Sequence, residues 1–318
     1  MIGFDIGGTK CAVSVGEVRD GALVILQKRK ISTDLAASPY EMINRLCLLA
    51  EEMTDDFSTI GISCGGPLDA ARGVILSPPN LPGWDEVYIA EYLQKRYGGA
   101  VCLENDANAC AVAEWRFGAG RGTKNMIFLT FGTGLGAGLI LDGRLYRGTC
   151  GNAGEVGHIR LARSGPVGFG KAGSFEGFAS GGGLAQMGRQ AALDALRMGK
   201  PVAWCESEVA LPQVNAALLA EAARAGDTAA LGIFRTAARR LGQGLSLLVD
   251  ILNPEKIVIG SVYLRANDLL YEEMMRVMKR ECLAASLSCT AVVSAGLGEA
   301  LGDYAALSLA AGLSEGTV

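Results

Sequence analysis

Apolar and polar positions along this chain fall into short strand-like runs at its start and longer helical repeats later. Met1 to Phe4, Cys11 to Val15 and Leu23 to Ile31 read as three strands, the first two joined by a glycine turn. A helix is expected from Pro39 to about Phe57. Ser38 is its N-cap, Glu41 completes a capping box, Pro39 takes the first helical position, and Ile43, Leu46, Leu49, Ala50 and Met53 form its apolar stripe. Thr59 to Cys64 reads as a strand, and Asp85 is expected to cap a helix that Gly98 ends. Next come a strand at Val101 to Leu103, a buried helix at Ala107 to Phe117, and a second glycine hairpin between Met126–Phe131 and Leu139–Leu141. Residues 148–183 are rich in glycine and polar side chains with little periodicity, which is unusual in a compact domain unless the segment builds a site. Helices near 184–198, 214–225, 228–252 and 267–285, strands at 256–259 and 291–294, and a last helix after Gly298 complete the reading.

The two hairpins carry the chemistry that singles the chain out. Asp5-Ile6-Gly7-Gly8-Thr9-Lys10 and Gly132-Thr133-Gly134-Leu135-Gly136-Ala137-Gly138 are turns whose consecutive backbone N–H groups can surround a phosphate, with no Cβ in the way. A branched residue at Gly8 or Gly134 is expected to block that approach without unfolding the chain. Either turn alone is also what an ordinary hairpin needs; the pair, with Glu104-Asn105-Asp106 between them, points to phosphoryl transfer. Gly132-x-Gly134-x-x-Ala137 has dinucleotide-fingerprint spacing, but a strand rather than a helix follows it, and no P-loop string occurs. Asp106 falls at a strand-to-helix junction, where a carboxylate can serve as proton acceptor, as helix cap, or as both. Glu155, the sole histidine His158, and Glu176 lie in the irregular region and offer the donors and acceptors that sugar hydroxyls require.

Composition narrows the classes. The chain has 318 residues, enough for two lobes with separate cores, and Lys plus Arg number 29 against 33 Asp plus Glu. That balance favours neither nucleic acid nor an anionic membrane as partner, and no apolar run approaches a membrane span, so a cytoplasmic protein is expected. The 9 cysteines are irregularly spaced, mostly within apolar runs, and read as reduced, buried small hydrophobes.

These motifs, with Pro79-Asn80-Leu81-Pro82-Gly83-Trp84, Gly154-Glu155-Val156-Gly157-His158 and Ile257-Val258-Ile259-Gly260, occur in an order that resembles the ROK family of bacterial sugar kinases and sugar-responsive repressors. The resemblance spans essentially the whole chain. It implies an α/β, actin-like, hexokinase-like ATPase fold of two lobes with the active site in a cleft: residues 1–117 completed by the C-terminal helix 299–318, and residues 118–298, with a hinge at 118–122. It also implies ATP-dependent phosphorylation of a hexose or N-acetylhexosamine, with Asp106 as general base and Gly66, Asn80, Asn105, Glu155, His158 and Glu176 on the sugar. Asp5, Gly7, Gly8, Thr9 and Lys10 belong to the first phosphate loop, Gly132, Thr133 and Gly134 to the second, and Gly260 to the adenosine side. Asp5 would stand near Mg2+, acting through water. A homodimer is a further implication.

The chain departs from that pattern twice. The family's zinc cysteines align with Val167, Phe169 and Ser174, none of which can supply a thiolate, so no zinc is expected and Val167 and Phe169 are expected to hold the loop by burial. The usual Gly-Gly-Gly after the late strand is Gly260-Ser261-Val262, which bears on nucleotide preference. The alternative is a non-catalytic sugar sensor or regulator. Repressors of the family carry a helix-turn-helix before the first glycine motif, and only four residues precede Asp5, so the kinase is the expectation.

Overall fold

The computed structural model describes residues 1–315. In chain order the strands are β1 (Ile2–Ile6), β2 (Lys10–Arg19), β3 (Ala22–Ser32), β4 (Thr59–Cys64), β5 (Leu68–Asp69), β6 (Val74–Ile75), β7 (Ala100–Asn105), β8 (Met126–Phe131), β9 (Leu135–Leu141), β10 (Arg144–Leu145), β11 (Val167–Gly168), β12 (Lys171–Ala172), β13 (Lys256–Ser261) and β14 (Ala291–Ser294). The helices are α1 (Pro39–Glu51), α2 (Ile89–Tyr97), α3 (Asp106–Phe117), α4 (Phe175–Phe178), α5 (Gly181–Arg197), α6 (Ala216–Arg224), α7 (Thr228–Leu252), α8 (Val262–Glu281), α9 (Ala284–Ser288) and α10 (Leu301–Glu315). Positions 316–318 of the expected last helix lie outside the described residues.

The chain forms two compact units, the first comprising Met1–Phe128, Gly138–Gly154 and the segment from Ala295 onward, the second Leu129–Ala137 and Glu155–Ser294. These limits differ from the lobe limits at 117/118 and 298/299 that the resemblance implies.

In the first unit one sheet has the order β3-β2-β1-β4-β7. β1 pairs antiparallel with β2 and parallel with β4, and β4 pairs parallel with β7, so β1, β4 and β7 point the same way. Phe4, Ile43, Leu46, Ile60, Ile62, Trp84 and Leu93 lie in the core of this unit, each at most 2% exposed. Full burial of such side chains contributes roughly 1.5–3 kcal/mol apiece. Gly3 and Gly61 sit side by side in the β1–β4 register. A Cβ on Gly61 would stand 2.0 Å from the Ala306 carbonyl oxygen, and one on Gly3 2.9 Å from Ala306 Cβ. Their lack of a side chain is what lets α10 lie directly on the sheet.

Capping signals held locally and failed where packing intervened. Ser38 accepts from Glu41 N–H, Glu41 accepts from Ser38 N–H, and Gly98 closes α2 in the left-handed conformation at φ 74°. α1 stops at Glu51, short of the expected Phe57, because Met53 and Thr54 turn back to the Ala50 carbonyl. Asp85 does not cap α2, which begins at Ile89; its carboxylate instead accepts from the Ser77 hydroxyl.

Glu114, in α3, is fully buried and accepts three backbone N–H groups: Ala119 at 2.8 Å, Gly296 at 3.0 Å and Leu297 at 2.9 Å. One carboxylate thus ties the segment after α3 to the segment leading into α10. A second sheet has the order β10-β9-β8-β13-β14, with β9 and β10 antiparallel and β13 and β14 parallel. The second unit builds its core on α7, whose Phe234, Leu241, Leu245 and Val249 are buried.

Candidate active site

The expected site residues fall into a group in each unit. In the first, Asp5 lies on β1 opposite Ala12 and Ser63, and the β1–β2 turn follows it. That turn is held by Gly7 N–H donating to the Lys10 carbonyl at 3.2 Å and by the Thr33 hydroxyl donating to the Gly7 carbonyl at 2.6 Å. Thr9 and Lys10 are exposed. A Cβ on Gly8 would lie 2.2 Å from the Asn80 carbonyl oxygen, so the exposed Asn80 loop rests on this turn. Gly66 follows β4, and a Cβ there would be 3.3 Å from Asn105 Nδ2, in line with the Cys64–Asn105 register. Among the expected sugar contacts, the structure thus brings Gly66 and Asn105 together, and it seats Asn80 on the glycine turn.

Asn105, rather than Asp106, is the N-cap of α3: its Oδ1 accepts from Ala107 N–H at 2.9 Å. Asp106 is the first helical residue, and its Oδ1 shares the same N–H at 2.8 Å. Surrounding protein raises its carboxyl pKa and the Ala107 N–H opposes the rise, while an exposed face keeps the group in contact with water.

Asp5 is the strongly perturbed carboxyl of this group, raised to about 7 by burial first and then by the charges of Asp303 and Asp106; Lys28 and Lys30 oppose the rise. Lys28 is ion-paired with the buried Asp303, at the start of α10. A cation at Asp5 would relieve this repulsion, so the carboxylate fits Mg2+ on charge and on donor chemistry. Below about pH 4 the Asp5 carboxyl is neutral in folded and unfolded chains alike, and between about 4 and 7 only the folded chain keeps the proton. Stability is therefore lost progressively as pH rises from about 4 to about 7, and above that range the folded chain holds the unfavourable charge with no further change. Asp5→Asn is therefore expected to raise the melting temperature of metal-free protein more at pH 8 than at pH 5; an equal or reversed effect in calorimetry would remove the basis for this assignment.

In the second unit Gly132, Thr133 and Gly134 form the β8–β9 turn, with Gly132 N–H donating to the Gly134 carbonyl at 3.0 Å. Gly181 N–H donates to the Gly132 carbonyl at 2.7 Å and Gly182 N–H to the Thr133 carbonyl at 3.1 Å. The start of α5 is thereby docked on the turn, and Ser180 caps that helix. Three consecutive glycines at the helix start, Gly181–Gly183, are the one sequence signal of this contact, which periodicity does not show. Glu176 Oε2 accepts from Leu135 N–H at 3.0 Å, and a Cβ on Gly134 would stand 2.6 Å from the same oxygen. Neither Gly8 nor Gly134 is among the positive-φ glycines. Both are needed by neighbouring protein atoms, so a valine there would disturb the loops themselves and not only a phosphate.

Glu155 precedes a short 3-10 turn, Val156–His158, and His158 N–H donates to the Glu155 carbonyl at 3.2 Å. The exposed His158 ring meets Phe169 edge-on at 6.1 Å between centroids. Val167 and Phe169 are 47% and 79% exposed, which overturns their expected burial; the β11–β12 pairing holds the loop instead. Ser174 is fully buried and caps α4, accepting from Gly177 N–H at 3.1 Å. Among the described residues no three His, Cys, Asp or Glu side chains are grouped so as to hold a metal ion. Gly260 is buried in β13, and Ser261 after it takes φ 59°, a conformation glycine adopts more easily. Ser261 Oγ would lie 3.7 Å from a Cβ on Gly132, placing the strand end beside the second glycine turn.

With glycine turns on two mixed five-stranded sheets and an Asn-Asp pair where β7 passes into α3, the chain is a sugar kinase of the actin-like, hexokinase-like ATPase fold class. The chain belongs to the ROK family, whose sequence profile matches residues 1–312. It is 32% identical over 313 residues to a glucokinase of Streptomyces coelicolor, spanning 97% of this chain and 96% of that one. Among solved structures, the ROK hexokinase of Thermus thermophilus superposes with a TM-score of 0.79 at 31% identity, covering 99% of both chains. A ROK family glucokinase from Streptomyces griseus, in complex with glucose and AMPPNP, gives 0.77 at 32% identity over 98% of this chain and 99% of the other. No helix among the described residues is long and apolar enough to cross a membrane.

Proposed function

We propose that this protein transfers the γ-phosphoryl group of ATP to a hydroxyl of a hexose or N-acetylhexosamine, with glucose the first candidate. The observation that carries this reading is the β7–α3 junction, where Asn105 caps the helix and leaves Asp106 at its first position with a water-exposed face. The relatives' glucokinase activity and the glucose and AMPPNP bound to one of them support the substrate pair.

In this reading Asp106 accepts the proton of the attacking hydroxyl, a task that a loose transition state does not make demanding. Gly66, Asn80, Asn105, Glu155, His158 and Glu176 orient sugar hydroxyls. The backbone N–H groups of Gly7–Lys10 and of Gly132–Gly134 receive phosphate oxygens, with Gly260 toward the adenosine. Asp5 would hold Mg2+ through water; when bound, the ion neutralises phosphate charge. Residues 1–117 with 299–318, and residues 118–298, are proposed as the two functional lobes. A homodimer is proposed on the family resemblance alone, and a cytoplasmic location on the charge balance and the apolar pattern of the sequence.

A coupled assay of ATP consumption over hexoses, hexosamines and N-acetylhexosamines tests the reading. Sugar binding by calorimetry without turnover on any of them would instead establish a non-catalytic sensor.

We also propose that the protein works without zinc. Val167 and Phe169 offer no ligand atom, and the Ser174 hydroxyl is engaged in capping α4. Elemental analysis is expected to find no stoichiometric zinc, and a strong chelator should leave the melting temperature unchanged. Stoichiometric metal, or melting on chelation, would overturn the proposal.

A further inference from the structure

Glu104 is the most enclosed charge next to the Asn105-Asp106 junction, with its side chain 2% exposed. Its Oε2 accepts from Arg147 Nε at 2.6 Å. Its Oε1 accepts from Asn105 N–H at 3.0 Å and from Asn108 Nδ2 at 3.0 Å. In the sequence Glu104 stands out only as part of an acidic segment, and Arg147 belongs to no motif.

Each of the three donors matters to the geometry of the junction. The Asn105 N–H fixes the peptide through which β7 passes into α3, and hence the direction in which Asp106 leaves the strand. Asn108 belongs to the first turn of α3; its Oδ1 is buried without a hydrogen-bond partner, so Glu104 alone orients that amide. The same turn is pressed against β9, where a Cβ on Gly138 would lie 2.7 Å from the Ala107 carbonyl oxygen and 3.0 Å from Asn108 Cα. The turn therefore has little room to rotate. Arg147 supplies the positive charge that offsets the cost of burying the carboxylate, which accepts from all three donors. Without it the carboxylate is left buried with no opposing charge and must either draw water in among its donors or swing toward solvent. Either outcome releases Asn105 or Asn108.

We infer that Glu104 and Arg147 are a positioning pair for phosphoryl transfer: they touch neither substrate nor reacting atoms, and act by holding Asn105 and Asp106 in place. This inference rests on the kinase reading. Gln at position 104 cannot substitute, because both carboxylate oxygens face donors and an amide must turn its NH2 toward one set of them.

The test uses full-length Arg147→Met and Arg147→Lys, with steady-state kinetics on glucose and ATP, glucose calorimetry, thermal melting, and amide hydrogen exchange across residues 104–108. Arg147 is partly exposed, so both variants are expected to fold. For Arg147→Met, turnover should fall by roughly 10- to 100-fold and glucose affinity by about tenfold, with the KM for ATP within about twofold. Arg147→Lys, which keeps the charge and one donor, should recover most of both losses. Turnover and glucose affinity within twofold of wild type in Arg147→Met, or equal losses in the two variants, would overturn the inference. So would misfolding of Arg147→Met, or a lowered melting temperature as its sole change, since either makes the pair purely structural. Should wild-type protein prove inactive on every sugar of the panel, the kinase reading fails by itself; exchange at 104–108, faster in Arg147→Met and restored in Arg147→Lys, then decides the pair without a ligand.

Discussion

Asp106→Asn is expected to lower turnover by at least about a hundredfold while sugar affinity stays within about tenfold, because an amide keeps the shape and hydrogen bonds of the carboxylate and cannot take a proton. The structure explains why this variant should remain folded. Asn105 already caps α3, and the contact Asp106 makes there, an oxygen accepting from Ala107 N–H at 2.8 Å, is one that an asparagine Oδ1 can also make. Surrounding protein raises the Asp106 carboxyl pKa, so a neutral side chain there is less costly to desolvate than the carboxylate. Steady-state kinetics and calorimetry on the purified variant separate the two quantities. Turnover near the wild-type value would remove Asp106 from the role of base, whatever the fold.

Glu114→Ala should strongly destabilise the first unit. It leaves the N–H groups of Ala119, Gly296 and Leu297 without the acceptor they share, and loss of one such partner costs about 1–3 kcal/mol. With partial relaxation toward water, a total of roughly 3–5 kcal/mol is expected, equivalent to a fall of roughly 4–8 °C in the unfolding midpoint of a chain this long. Differential scanning calorimetry gives the answer directly, and a shift below about 2 °C would show that water replaces the carboxylate at little cost. The glycines around it add to the constraint: a Cβ on Gly118 would lie 2.2 Å from Glu114 Oε2, and one on Gly296 2.8 Å from Ala119 N. The segment after α3 and the entry to α10 are therefore fitted to this one side chain.

Much of the candidate site was legible because its signals are local. Asp5, the Gly7–Lys10 turn and Gly132–Gly134 announce themselves as glycine runs between apolar strands. Asn105-Asp106 marks a strand-to-helix change, and the Ser38–Glu41 box and Gly98 mark helix ends within a few residues of themselves. Each depends on backbone sterics or on a hydrogen bond to a near neighbour in sequence, which is information a short window of residues contains. By itself the sequence determined the two glycine hairpins, the strand-to-helix junction that carries Asp106, and the absence of thiolates at positions 167, 169 and 174.

The rest was decided by contacts between segments far apart in the chain. Arg147 reaches back to Glu104, and Gly296 and Leu297 find Glu114, across sequence separations of 43, 182 and 183 residues. Gly3 and Gly61 read as ordinary strand glycines until α10 settles on them. Phe169 reads as a loop anchor and is instead 79% exposed. Tertiary packing alone determined which carboxylates would be buried, which charge each would meet, and where a missing side chain would be filled by another element. Burial and Coulomb energies depend on where atoms lie in space, and local periodicity and turn chemistry do not specify that position.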